Sequence, residues 1–252
     1  MKKDQLFAAR TQAVGNFNFG AETAEVFEDM LDRSIPLYRE MQRMLGELVA
    51  EFAVTDTYVY DLGCSNGITL ETVARAIAGA GKQSRLVGVD YSKAMLEKAA
   101  QRFADGAAGV RPELLHKDLN DGLTIENASV VLLNLTLQFV RPLFRDRLVR
   151  SIYEGLNENG CLIVVEKVLG NDSLFNRLFI KLYYDMKRRN DYSDLEIAQK
   201  REALENVLIP YRIDENVELL RRNGFGSVDM FYKWYNFAGL IAVKTAQPGR
   251  PS

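Results

Sequence analysis

The stretch Tyr58-Val-Tyr-Asp-Leu-Gly-Cys-Ser-Asn-Gly67 constrains the fold of this chain more than any other. Tyr58 to Leu62 reads as a short buried strand, which breaks into a turn bracketed by Gly63 and Gly67 before a helix begins near Ile68. Strand, glycine turn and helix in that order open the α/β sheets whose ligands sit outside the carboxyl ends of the strands. Glycine in such a turn permits positive φ and lets the backbone approach a ligand with no Cβ in the way. Asp61, at the strand's end, can accept hydrogen bonds from the turn's amides or from a ligand's amino group. The pattern is D-x-G-x-S-x-G, distinct from the G-x-G-x-x-G of dinucleotide folds.

Composition leaves room for this reading and closes others. A chain of 252 residues, 47% of them hydrophobic, can bury one core, or a core with a cap. Its formal net charge is -2, and no basic block marks a nucleic-acid surface, so no direct RNA or DNA binding is expected. No run approaches the ~18 apolar residues of a membrane span. Met1 to Arg10 lacks the apolar stretch of a signal peptide. Cys64 and Cys161 stand far apart and outside any metal-type or C-x-x-C spacing, which fits a reduced compartment. The expectation is a soluble cytoplasmic protein with no metal site, whose polar tail, Gln247 to Ser252, frays.

Before the strand, Ala24, Val26, Phe27, Met30 and Leu31 fall at helical spacing after Gly20. Pro36 suits the first turn of a second helix, which carries Met41, Met44, Leu45, Leu48 and Val49 and stops before Val54. Tyr38 reads either as a core residue of that helix or as part of a cap over the cleft. After the loop, strands and helices alternate, which argues for a parallel sheet. Thr69 to Ala80 is a helix, Arg85 to Asp90 an apolar strand, and Lys93 to Phe103 a helix with Ser92 as its N-cap. Asp90 lies where such folds direct a carboxylate at ribose hydroxyls, a charge-assisted pair of bonds. Val110 to Leu115 is the next strand, closed by His116-Lys-Asp118. Asp118 can accept from an adenine amino group, and His116, the sole histidine, reads as structural. Ser129 to Leu135 is apolar on both faces, like a central parallel strand, so Asn134 at its end needs a hydrogen-bond partner.

A helix over Arg145 to Leu156, a turn at Asn157 to Gly160 and a strand from Cys161 to Val165 follow, with Glu166 and Lys167 at the strand's end. The pattern then changes to an aromatic-rich helix, Leu174 to Asp185, and a basic patch, Lys187-Arg-Arg189. Ser193 and Glu196 form a capping box that opens a helix bearing Gln199-Lys-Arg201. Helix Asp214 to Arg222 and a hairpin of two strands, Val228 to Tyr235 and Phe237 to Lys244, close the chain. The expected organisation is one domain over 1–252, with a helical cap at 20–54 and a helical insertion at 170–211 covering the site.

The glycine loop is similar to the acidic-x-G-x-G-x-G turn of S-adenosyl-L-methionine (SAM) enzymes, with Ser65 in the second glycine's place. More specific pieces are Ala24-Glu-Val-Phe27, Arg33-Ser-Ile-Pro-Leu-Tyr38, Ile125-Glu-Asn-Ala-Ser129, Leu133-Asn-Leu-Thr-Leu-Gln-Phe139 and Gln199-Lys-Arg201 running into Leu204-Glu-Asn-Val207. In these, and over most of its length, the chain resembles the carboxy-S-adenosyl-L-methionine synthase family. It departs at Tyr91, where asparagine is usual, and at Asn66 to Thr69 and Glu166 to Gly170.

The resemblance implies a Rossmann-like SAM-methyltransferase fold: a mostly parallel seven-stranded sheet with a C-terminal antiparallel hairpin, N-terminal helices and a helical insertion. It implies conversion of SAM to carboxy-SAM with a carboxyl group from prephenate, which becomes phenylpyruvate. The product then serves a separate tRNA carboxymethyltransferase acting on wobble uridine. The SAM or carboxy-SAM site would comprise Tyr38, Gly63, Cys64, Ser65, Asp90, Tyr91, Asp118, Leu119 and Asn134, with Arg201 as the cation on the transferred carboxylate. Guanidinium suits that role because it recognises carboxylates in a planar, bidentate way. A homodimer is implied, and the aromatic and basic region Leu174 to Arg189 is either its interface or core. Because fold alone does not fix function, a conventional methyltransferase acting on a small molecule and a non-catalytic SAM-binding partner are the rival readings.

Overall fold

The computed structural model describes residues 2–11, 13–104 and 109–245, so the tail from Gln247 onward lies outside the described residues. Two helices, α1 (Ala21–Ser34) and α2 (Tyr38–Phe52), precede the alternating unit. That unit runs β1 (Tyr58–Leu62), α3 (Ile68–Gly79), β2 (Arg85–Asp90), α4 (Lys93–Phe103), β3 (Glu113–His116), β4 (Ala128–Asn134), α5 (Pro142–Gly155) and β5 (Leu156–Lys167). Helices α6 (Ser173–Arg189) and α7 (Asp194–Leu204) are inserted before α8 (Ile213–Arg222), β6 (Ser227–Trp234) and β7 (Phe237–Val243).

The described strands form one sheet in the order β3-β2-β1-β4-β5-β7-β6. Neighbours from β3 to β5 are parallel, and β7 runs antiparallel to both β5 and β6. The α/β class, the seven strands and the closing hairpin agree with the sequence expectation. Alternation along the strands divides two cores. Tyr60, Leu62, Val131 and Leu133 meet α5 and α8 through Leu148, Ile152 and Leu219. Val59, Val130 and Leu132 meet α2 and α3 through Met41, Leu45, Leu70 and Val73. Because the chain steps outward from β1 to β3 and returns at β4, the crevice between β1 and β4 is the topological switch point where α/β folds bind ligands.

Helix α5 starts at Pro142 rather than Arg145, and four further differences from expectation have a local reason. Pro36 lies in a turn rather than in the first turn of α2, because Leu37 takes a left-handed φ of 51° and delays the helix to Tyr38. β3 starts at Glu113, where pairing with Val87 begins, not at Val110. β5 absorbs the expected turn at Asn157 to Gly160, since Asn159 N and Gly160 O both bond to Lys244. Finally, α6 continues past Asp185 to Arg189, so the basic patch is helical. That places Lys187 one turn from Tyr183 on the inner face, both buried, with Arg188 and Arg189 in solvent.

Candidate active site

The turn after β1 is pinned to β2. The amides of Gly63 and Cys64 donate to Val89 O at 2.7 and 3.0 Å, and Ser65 N donates to Asp90 Oδ2 at 2.9 Å. Gly63 (φ +83°) and Gly67 (φ +82°) take left-handed backbone conformations. A Cβ on Gly63 would stand 2.3 Å from Thr136 Oγ1, so only glycine lets the loop and the segment after β4 close together. None of these turn amides reaches Asp61. Both of its buried oxygens lack a partner among the described residues, and burial together with the Asp90 charge pushes its carboxyl up to about 7.

The carboxyl ends of the central strands, roofed by α1, α2, α6 and α7, enclose a cavity of about 460 Å³. Tyr38, Gly63, Cys64, Ser65 and Asn134 line its middle. Asp90, Tyr91, Asp118 and Leu119 line the end beneath β2 and β3. The Tyr38 hydroxyl accepts from Gln42 Nε2 at 3.1 Å, and its ring belongs both to the core and to the cavity wall. Asn134 donates to Thr69 Oγ1 at 3.0 Å and leaves its own carbonyl oxygen without a partner. Asp90 Oδ1 also accepts from Ser92 N at 2.8 Å, while Ser92 caps α4 through Met95 N, so the carboxylate is held rigid at the rim of the cavity. Asp118 accepts from Asn120 N at 2.8 Å and starts a 3₁₀ turn, Leu119–Asp121. His116 faces away, its Nε2 2.8 Å from Tyr91 O.

Arg201 is the one expected site residue outside this lining: it lies exposed on α7, while its neighbour Lys200 is buried and lines the cavity. The sequence reading missed Lys167, Lys187 and Lys200 as cavity residues. For Lys167 the signal was its place at a strand's end, and for Lys187 the i, i+4 spacing with Tyr183 on one helix face; Lys200 had none. An amino-terminal strap is tied to α7 and to the turn before it, outside the cavity lining. Gln199 Nε2 holds Phe7 O and Ala9 O at 2.8 and 2.9 Å, and Asp4, itself buried, accepts from Tyr192 OH at 2.6 Å and from Lys200 Nζ at 3.4 Å. Opposite, Gln138 ties the segment after β4 to the end of β5: its backbone N donates to Glu166 Oε1 at 2.7 Å and its Oε1 accepts from Lys167 N at 3.0 Å.

Comparison with known proteins settles the family. The chain is 54% identical to a carboxy-S-adenosyl-L-methionine synthase of Methylococcus capsulatus over 97% of its own length and the whole of that protein. The chain belongs to the carboxy-S-adenosyl-L-methionine synthase family. A synthase of the same description from Desulforapulum autotrophicum is 43% identical over 99% of this chain and the whole of its own. Residues 59–160 match the family described as Methyltransferase domain. An O-methyltransferase family protein of Burkholderia thailandensis shares the fold, with a TM-score of 0.64 at 17% identity over 94% of this chain and 66% of that one.

As in its family, this enzyme takes SAM as substrate and carboxy-SAM as product, and the residues present fit them on their own chemistry. A fixed carboxylate in the cavity lining, Asp90, has the chemistry to accept from a ribose diol. The orphaned carbonyl oxygen of Asn134, which lines the cavity, suits a ligand with an amino group, because a buried acceptor without a donor is costly.

Burial also fixes a pH dependence. Asp61 is raised to about 7 and Glu166 to about 8, both chiefly by desolvation. Between their unfolded values and these raised ones, the native state holds protons that the unfolded state has released, so stability falls as pH rises. The ligand-free protein is therefore expected to melt at a progressively lower temperature from pH 5 to pH 8 in scanning calorimetry. A flat or rising profile would show that both carboxyls ionise freely in the fold.

Proposed function

We propose that this enzyme converts SAM to carboxy-SAM with a carboxyl group taken from prephenate, releasing phenylpyruvate and water. The observation that carries the reading is the 54% identity to a carboxy-S-adenosyl-L-methionine synthase along nearly the whole chain. SAM, when bound, supplies the sulfonium methyl carbon that receives the carboxyl group. The chain's own part is to hold two reactants together and keep water out, which supplies most of what such a transfer needs. The glycine loop, Asp90, Asp118 and Asn134 orient SAM, and Tyr38 closes over it. Residues 20–54 act as the cap and 170–211 as the insertion that covers the site, within one domain. Only the family resemblance assigns Arg201 to the carboxylate of the product, because its side chain lies exposed on α7, outside the cavity lining. The enzyme works in the cytoplasm as a homodimer, joined through the exposed face of α6 at Leu174, Phe175 and Leu178, and its product serves a separate tRNA carboxymethyltransferase.

Incubating the purified protein with SAM and prephenate is expected to give a species heavier than SAM by one carboxyl group in the mass spectrum. Transfer of labelled methyl to a small acceptor without prephenate would instead mark a conventional methyltransferase. Arg201→Ala is expected to lose the carboxylated product while still binding SAM. Equal product from the variant would remove Arg201 from the role.

A further inference from the structure

Charge is unevenly spread over the cavity. Its β2 and β3 end mixes the carboxylates Asp90 and Asp118 with the cations Lys117 and Arg141, whereas the β5 end carries Lys167 from β5, Lys187 from α6 and Lys200 from α7 with no acidic residue in its lining. Asp90 and Lys167 close the ends of strands three sheet positions apart, which sets them about 14 Å from each other across the sheet. The three ammonium groups gather around two tyrosine rings. Lys167 and Lys187 Nζ lie 5.2 and 5.1 Å from the centre of Tyr183, and Lys187 and Lys200 Nζ each lie 5.5 Å from the centre of Tyr192.

Folding alone does not account for this cluster. Lys200 has a carboxylate partner in Asp4 and a hydroxyl partner in Ser34, at 3.4 and 3.3 Å. Among the described residues, Lys167 and Lys187 make neither an ion pair nor a side-chain hydrogen bond, although Lys187 is only 5% exposed. Three cations, Lys187 and Lys200 buried and Lys167 half-buried, against one carboxylate is an arrangement that costs stability. Desolvation lowers all three lysines, with Lys200 brought down to about 8. The tyrosine faces recover only part of the cost, since a cation over a ring is a modest contact. An arrangement retained at a cost inside a ligand cavity points to a ligand of opposite charge.

We propose that Lys167, Lys187 and Lys200 form a dicarboxylate-binding subsite at the β5 end of the cavity, beside the place for SAM. Its ligand is the carboxyl donor, and for the identity of that donor the assignment rests on the proposed prephenate reaction. Prephenate carries two carboxylates, one to be transferred and one on the side chain that leaves with phenylpyruvate. Three ammonium groups, one already shared with Asp4, leave roughly one cation for each. Lysine suits a ligand whose two carboxylates diverge, because each ammonium is a point charge on a flexible stem rather than a planar fork.

The test compares wild type with Lys167→Met and Lys187→Met, changes that keep the stem's volume and remove the charge. With SAM saturating, the KM for prephenate is expected to rise about 10- to 100-fold in each, the scale of a buried hydrogen bond to a charged group, while SAM affinity changes by no more than about twofold. Melting temperature without ligand is expected to stay level or rise, because an unpaired buried charge has been removed. A prephenate KM unchanged in the folded variants overturns the subsite. So does a fall in melting temperature accompanied by loss of SAM affinity, which is what structural lysines would give. Calorimetric titration of phenylsuccinate, a stable dicarboxylate, into the SAM-loaded protein separates this assignment from the reaction it rests on. Lysine-dependent phenylsuccinate binding in a protein that makes no carboxy-SAM from prephenate keeps the subsite and sinks the donor. Normal carboxy-SAM synthesis in the lysine variants does the reverse.

Discussion

Replacing Asp90 with alanine is expected to weaken SAM binding by about 100-fold or more, the loss of two charge-assisted hydrogen bonds. In the protein, one oxygen of Asp90 accepts from Ser65 N and the other from Ser92 N. A single carboxylate thus fixes the glycine loop to the start of α4 and presents its remaining lone pairs to the cavity. Alanine removes both the ribose acceptor and the tie that shapes the loop. Asparagine keeps one acceptor oxygen and is expected to fall between the two. Isothermal titration with SAM reads the effect, and an alanine variant that binds SAM like wild type would show that the ribose is held elsewhere.

The largest loss of stability is expected from Arg145→Ala, about 3–5 kcal/mol by denaturant unfolding, from buried carbonyls left without a donor together with the void left by the side chain. Arg145 is fully buried at 0% exposure. Its Nε donates to Val140 O at 2.9 Å and one terminal nitrogen donates to Ile209 O at 2.7 Å, with the guanidinium 4.1 Å from the centre of the Tyr211 ring. It therefore joins the segment after β4 to the segment after α7, two walls of the cavity that no strand pairing connects. The lost guanidinium leaves a void and two unpaired carbonyls. A cost below about 1 kcal/mol, the figure for a surface arginine, would mean that the two walls are held by other contacts.

The part of the cavity around the β1 to β4 crevice was legible in the sequence because its parts are local. Asp61, Gly63, Ser65 and Asp90 follow strand ends, where the period-two pattern breaks into glycine and polar residues, and the fold alone brings strand ends to one edge. Asn134 stood out for the same reason, as a polar residue ending an apolar strand. The other half depends on helix rotation. Lys200 and Arg201 are neighbours on α7, about 100° apart around its axis, and the weak apolar pattern of that helix does not say which of them faces in. For Lys187 the obstacle was length: with α6 stopped at Asp185 the basic patch is a surface turn, whereas one further helical turn carries Lys187 inside. Charge attracted attention at Arg201 because arginine suits a carboxylate; burial, which is a tertiary property, instead selects the lysines.

The amino-terminal strap has a consequence for the order in which the site is made. Tyr192 and Lys200, which Asp4 satisfies, lie 188 and 196 positions after it in the chain. Gln199 and Phe7 are 192 apart. Such distant contacts close slowly because the loop between them must be ordered first. The β1 to β4 crevice needs no such partner and can take shape while α7 is still being synthesised. The strap contacts thus form only once α7 has been made, and the lysine end, which takes Lys187 and Lys200 from α6 and α7, is completed after the β1 to β4 crevice.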